Sequence, residues 1–155
     1  MKVLIAYDSV SPAKLTAQVA EQIGAVLKEN GIAFDSLLVK EVDAAKAKDY
    51  DTVLVGGPTQ AFRVSKDVSQ FLDKLPKGEF SGKSAAAFDT QLQSRLSGSA
   101  AKAIDDRLKK LEFNMIAAPL IVYVEGKMNQ MNIKSGELDK AKTWAQEIAK
   151  TLSKL

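Results

Sequence analysis

The stretch Asp51-Thr52-Val53-Leu54-Val55-Gly56-Gly57-Pro58-Thr59-Gln60 decides the fold. Its apolar part is continuous, without alternation of polar and apolar residues. A strand needs that composition when both its faces are covered, as at the centre of a parallel sheet. The run, read as a strand over 51–56, stops at a glycine pair and a proline, which turn the chain sharply. Gln60-Ala61-Phe62-Arg63 then presents an aromatic side chain outside the strand.

Outward from this centre, strands alternate with helical patterns. Residues 2–7, with Val3-Leu4-Ile5-Ala6, make another buried strand. Leu15, Val19, Ile23, Val26 and Leu27 then recur at helical spacing up to the stop signal Asn30-Gly31. Residues 33–39 read as a strand whose Asp35 and Ser36 suit the sheet edge, and 41–50 as a short helix or a loop. Ser65 can cap a helix with Val68, Phe71, Leu72 and Leu75 on its core face, ended by Pro76. The small residues of 84–88 predict a strand with helices packed closely on it. Ser97 or Ser99 caps a helix bearing Ile104, Leu108 and Leu111. Residues 113–117 and 120–124 form a fifth strand interrupted at Ala118-Pro119. Ser135 opens a last helix with Leu138, Ala141, Ala145, Ile148 and Leu152 inward, where Trp144 reads as packing. Strands each followed by a helix, joined by right-handed crossovers, predict a three-layer doubly wound α/β fold.

Composition removes several kinds of chemistry. The 155 residues suit one hydrophobic core, and a single domain over 1–155 is expected. The chain has no cysteine and no histidine. Disulfides, thiolate chemistry and iron–sulfur ligation are excluded, and zinc sites and histidine-based triads are not expected. No apolar run approaches the roughly 20 residues of a membrane span, and 2–7 is too short for a signal-peptide core, so a cytoplasmic protein is expected. A net charge of +3, from lysines scattered without aromatic interleaving, does not point to nucleic acid.

Three stretches follow strands: Tyr7-Asp8-Ser9-Val10-Ser11-Pro12-Ala13-Lys14, the Gly56-Gly57-Pro58-Thr59 corner, and Phe88-Asp89-Thr90-Gln91. In an open parallel sheet all three lie along the rim at the carboxyl ends of the strands, where ligands bind at the point of reversed strand order. Together they read as a nucleotide-like cofactor site, with flavin mononucleotide (FMN) the best candidate.

Tyr7-Asp8-Ser9, Gly56-Gly57-Pro58-Thr59 with Arg63 and Ser65, and Ala87-Phe88-Asp89-Thr90 also follow a family pattern, in order and spacing. So do Leu96-Ser97-Gly98-Ser99-Ala100-Ala101 and Ala118-Pro119 with Val124-Glu125-Gly126. Over nearly its whole length the sequence resembles the flavodoxin family, particularly its short archaeal and bacterial members. The resemblance implies five parallel strands in the order 2-1-3-4-5, FMN as cofactor, and an electron carrier with no catalytic residue. It also implies a phosphate held by Ser9, Val10, Ser11, Ala13 and Lys14. The ring is then met by Pro58, Thr59, Gln60, Ala61 and Phe62 on one side and by Asp89, Thr90 and Gln91 at its pyrimidine edge. Gly56 and Gly57 are expected to let the backbone pass closely beneath it.

The phosphate loop departs from the family pattern, with Pro12, Ala13 and Lys14 standing where Gly, Asn and Thr are usual. Two readings stay open. Lys14 can replace the lost donors with a charge-assisted contact, or Ser11, Pro12 and Lys14 are an ordinary helix start. Likewise Phe62 stacks on a ring or folds back onto the core. Met128 and Met131, within 125–133, suit a ligand or partner surface or plain loop packing. A flavin-free binding module and an FMN-dependent reductase of quinone type are the alternative functions. With pI ≈ 9.0, unlike the acidic flavodoxins, the chain is expected to meet an acidic redox partner and to be a monomer or weak dimer.

Overall fold

The apolar run from Thr52 forms β3 (Thr52–Gln60) in the middle of the sheet, with Val53, Leu54 and Val55 fully buried. The structure is a computed structural model that describes residues 1–9, 14–60, 63–93, 98–127 and 130–155. The readings placed on Val10, Ser11, Pro12, Ala13, Ala61, Phe62, Leu96, Ser97 and Met128 lie outside the described residues. In chain order come β1 (Lys2–Tyr7), α1 (Leu15–Glu29), β2 (Ala33–Leu38), β3, β4 (Arg63–Val64) and α2 (Lys66–Lys74). They are followed by β5 (Ser84–Leu92), α3 (Ala100–Lys110), β6 (Asn114–Met115), β7 (Leu120–Glu125), β8 (Asn132–Ile133) and α4 (Glu137–Ser153).

The long strands are parallel and lie in the order β2-β1-β3-β5-β7, which is the predicted 2-1-3-4-5 arrangement. Three two-residue strands add to it. β6 pairs with the start of β5 and β7 with its end, so the predicted fifth strand is one lane in two pieces, divided around Ala118-Pro119. β4 folds back on β3, and β8 on β7, both antiparallel. This pairing carries β3 beyond the predicted end at Gly56, because Pro58 still has Thr90 opposite it on β5.

The two faces of the sheet bury separate sets of side chains. Leu4, Ala6, Val53, Val55, Ala85 and Ala87 pack under α2 and α3, through Val68, Phe71, Leu72, Ile104 and Leu108. Val3, Ile5, Leu54, Ala86 and Phe88 pack under α1 and α4, through Val19, Ile23, Ala141, Ala145 and Ile148. Helices on both faces of a parallel sheet make the three layers. The alanines of β5 are all fully buried, as their small size predicts.

The segment 41–50, read as a short helix or a loop, carries the short 3₁₀ helix Ala44–Asp49, with another, Val39–Glu41, ahead of it. Asp43 accepts the Ala45 amide at 3.1 Å and fixes the second turn. The last helix begins after Gly136 (φ 86°) and not at Ser135, since a turn from Lys134 to Glu137 precedes it.

On the outer edge of β7, β8 pairs with Val124 and Glu125, and side chains meet backbone groups nearer the start of the strand and before it. The Tyr123 amide donates to Glu137 Oε1 at 2.8 Å, and Trp144 Nε1 donates to the Ala118 carbonyl at 2.8 Å. Trp144 also meets the Phe88 ring edge-on at 6.2 Å, in keeping with its reading as a packing residue. At the β1–β2 end, Tyr50 donates to Asp35 Oδ2 at 2.6 Å and Lys2 pairs with the same oxygen at 3.0 Å.

Gly56 and Gly57 serve the protein's own packing. A Cβ on Gly56 would lie 2.1 Å from the Phe88 ring, and one on Gly57 2.8 Å from Val68 Cγ2. Gly56→Ala is expected to cost about 1–3 kcal/mol of stability, the usual cost of overpacking a core. Denaturant unfolding should show Phe88→Leu recovering part of that loss in the double variant; strict additivity would contradict the contact. The Asp35 carboxylate beside Tyr50 pushes its phenol up to about 12 from 10.0. Tyr50 therefore contributes stability that is present below pH 10 and lost as pH rises through 12. In Tyr50→Phe, unfolding measured across that window should fall less steeply than in the wild type.

Candidate functional site

From β1 the chain passes to β2 on one side and then crosses back to β3 on the other, so the strand order reverses between β1 and β3. Helices diverge on either side of that point and leave a crevice beyond the carboxyl ends of the strands. Its floor is built by Asp8, only 3% exposed. The Asp8 amide donates to the Gly56 carbonyl at 3.0 Å, which ties the ends of β1 and β3 together. Its Oδ2 accepts the Ser65 hydroxyl at 2.6 Å. Ser65 does stand at the N-cap of α2, but its hydroxyl turns to Asp8 and leaves the helix amides alone. The reason is energetic: a buried carboxylate without a donor costs more than an exposed helix end.

On the α1 side, Ser9 is partly exposed and its Oγ accepts the Ala17 amide at 3.4 Å. Lys14 occupies the N-cap position in the left-handed conformation (φ 51°, ψ 50°), exposed and making no cap bond. The amides of Leu15 and Thr16 open the helix and have no intrahelical acceptor, as in any first turn. The Thr16 hydroxyl points inward, 2.8 Å from that of Thr90, and both residues are buried.

On the far wall, Asp89 gathers the neighbouring polar groups. Its Oδ2 accepts from Thr59 Oγ1 at 3.3 Å, Gln91 Nε2 at 3.0 Å, Ser99 Oγ at 2.9 Å and the Ala101 amide at 3.0 Å. Thr59 Oγ1 also accepts the Ala100 amide at 3.0 Å. The Ser99 hydroxyl, capping α3, accepts the Lys102 amide at 3.3 Å. Asp89 Oδ1 is buried and has no partner among the described residues. Burial raises the Asp89 carboxyl above its ordinary value, against the pull of its donors.

The sequence-predicted residues are thus divided. The side chains of Thr59, Asp89, Thr90 and Gln91 are hydrogen-bonded within the protein, and all four residues are paired in the sheet. Ser9, Lys14, Pro58 and Gln60 lie at its mouth, at the ends of β1 and β3. Val10, Ser11, Ala13, Ala61 and Phe62 are outside the described residues. Thr16 has no role in the sequence pattern, and Asp8 belongs there only to a motif. A hydroxyl on the core face of a helix and an acid ending a buried strand were the available signals.

The donor set fits a phosphate ester at α1, through open amides, a nearby hydroxyl and an exposed ammonium. An open parallel sheet with a crevice at the reversal of strand order defines a doubly wound α/β protein with a nucleotide-type crevice, of which flavodoxins are the type case. A family model described as a flavodoxin domain matches residues 4–135, and the chain belongs to the flavodoxin family. No curated protein matches it.

Among solved structures, the chain is similar to the rubredoxin oxygen:oxidoreductase of Desulfovibrio gigas, with 25% identity and a TM-score of 0.81. That match covers 99% of this chain and 36% of the other, so the chain spans little more than a third of that protein. It is also similar to oxidised flavodoxin 2 from Bacillus cereus, with 21% identity, a TM-score of 0.84, and 97% and 99% of the two chains covered. A flavodoxin from the domain Archaea matches at 19% identity and a TM-score of 0.75, over 99% of each chain. No helix among the described residues is long and apolar enough to cross a membrane.

Because its folded pKa is raised, Asp89 favours the fold more as pH falls through that value toward the unfolded one. Relative to Asp89→Asn, the wild type should gain stability between pH 7 and about 4, read by denaturant unfolding at fixed temperature. A constant gap, or one that shifts toward the variant, would show that burial does not dominate at this carboxyl.

Proposed function

We propose that this chain binds FMN in the crevice between β1 and β3. It then exchanges electrons with a redox partner protein, as a flavodoxin-like carrier occupying 1–155 and working in the cytoplasm. The observation that carries the reading is Lys14. A left-handed backbone at a residue with a Cβ costs about 1–2 kcal/mol. Here that cost falls at the N-cap of α1, on an exposed lysine that joins no ion pair among the described residues. Strain without a packing return supports a ligand, and the chemistry of the position supports a dianionic phosphate.

When bound, FMN supplies the redox chemistry. The chain's own part is to bind and orient it. Ser9, Val10, Ser11, Ala13 and Lys14 hold the phosphate, Lys14 through charge and the others through amides and hydroxyls. Pro58, Thr59, Gln60 and Ala61 offer backbone groups to one edge of the ring, and Phe62 supplies the aromatic face. Asp89, Thr90 and Gln91 present the backbone of β5 to the pyrimidine edge. The Asp89 carboxyl acts by fixing that backbone to β3 and α3. No side chain serves as nucleophile or acid–base catalyst.

Titration of the apoprotein by flavin fluorescence tests this. FMN should bind, and Lys14→Ala should weaken it by about 1.5–3 kcal/mol, the scale of a charge-assisted hydrogen bond. Riboflavin, lacking the phosphate, should be nearly indifferent to the change. Lys14→Gly should weaken FMN equally while raising the melting temperature, because glycine relieves the left-handed backbone. A colourless protein that ignores added FMN would overturn the proposal, and equal losses for FMN and riboflavin would remove Lys14 from the phosphate.

A further inference from the structure

We infer that the carboxyl-end rim on the β3–β7 side is the docking surface for a small redox protein with an acidic face. The inference rests on the carrier reading for its purpose, and on the distribution of charge for its substance. Lys14 caps α1, Arg63 lies in β4, and Lys66 and Lys102 stand in the first turns of α2 and α3. Lys127 follows β7 and Lys134 follows β8. The topology therefore brings all six cations to the end of the sheet where the crevice opens, and all six are exposed.

Six cations elsewhere are ion-paired, in Lys2–Asp35, Lys40–Asp67, Arg107–Asp73, Lys109–Asp105, Lys140–Glu137 and Lys150–Glu147. None of the six rim cations joins an ion pair among the described residues. The Lys134 ammonium instead meets the neutral Gln93 Oε1, at 2.6 Å. The acids at this end are placed differently. Asp8 and Asp89 are buried and hydrogen-bonded inside. Glu21 and Glu41 act on Tyr7 at the β1–β2 side, and Asp67 is taken by Lys40. Glu125 at the end of β7 and Asp139 in the first turn of α4 are exposed acids at this end, fewer than the six cations.

The rim is thus positive toward β3–β7 and negative toward β2. Such an asymmetry steers and orients a complementary partner before contact. An acidic protein seated on the cations covers the mouth of the crevice, so its own redox group comes to rest against whatever the crevice holds.

The probe is a strongly acidic [2Fe–2S] ferredoxin, titrated into the apoprotein and the FMN-loaded protein by calorimetry, with basic cytochrome c as the counter-probe. Binding should be measurable at low ionic strength and at least tenfold weaker when salt shortens the screening length to about 3–6 Å. The Lys102→Glu/Lys127→Glu pair should weaken binding about tenfold or more and flatten its salt dependence. Lys28→Glu and Lys77→Glu, at the opposite end of the sheet, should leave it unchanged. Preference for cytochrome c, equal losses in both sets of variants, or no binding would overturn the inference. Equal affinity for a DNA duplex would overturn it too, since the cations then read phosphate charge alone. The apoprotein titration separates the two readings: docking without FMN affinity removes the flavin, and FMN affinity without docking removes the rim.

Discussion

Taking a carboxylate out of water costs several kcal/mol unless donors meet its lone pairs, and at the head of β5 the Oδ2 of Asp89 meets four of them. Those donors come from β3, from β5 itself, and from the start of α3. Their convergence decides what the rest of the rim can do. Thr59, Gln91 and Ser99 are held facing the protein, so on this side their side chains are committed to the fold. The same node ties α3 to the strand ends, and with the Asp8–Ser65 bond it fixes α2 and α3 relative to the floor. Polar networks of this kind rigidify a site because each member loses its partner if another moves.

The fold was legible because its strands carry unbroken apolar runs and its helices a clean 3.6-residue spacing. The small residues of 84–88 announced close packing, and Asn30-Gly31 and Pro76 marked helix ends correctly. The segment 41–50 was ambiguous because it is polar and alanine-rich, and a capping Asp43 settled it as 3₁₀ turns. The pairing of Pro58 with Thr90 was invisible, since register depends on both strands and neither sequence encodes it alone.

The site was legible in outline and opaque in detail for a similar reason. Lys14 stood out as a departure from a loop pattern, and its backbone conformation gives that departure a cost. The partners of Asp89 lie up to thirty residues away along the chain, with the Thr59 bond the longest reach. Their side chains look like ligand donors in sequence and turn out to be donors to the protein. Gly56 and Gly57 were read as room for a ring. They are room for Phe88 and Val68, a distinction that only three-dimensional neighbours can make.

The closed edge of β7 has a bearing on how such a molecule behaves in a crowd. An uncovered strand offers a template on which an identical neighbour can extend the sheet, and repetition of that step leads to fibres. At Tyr123 the amide is already held by a carboxylate, at Ala118 the carbonyl by an indole, and Pro119 has no amide to give. Copies that collide along this edge find a blunt side chain where a ladder could have begun. Crowding along this edge then brings side chains together and starts no ladder.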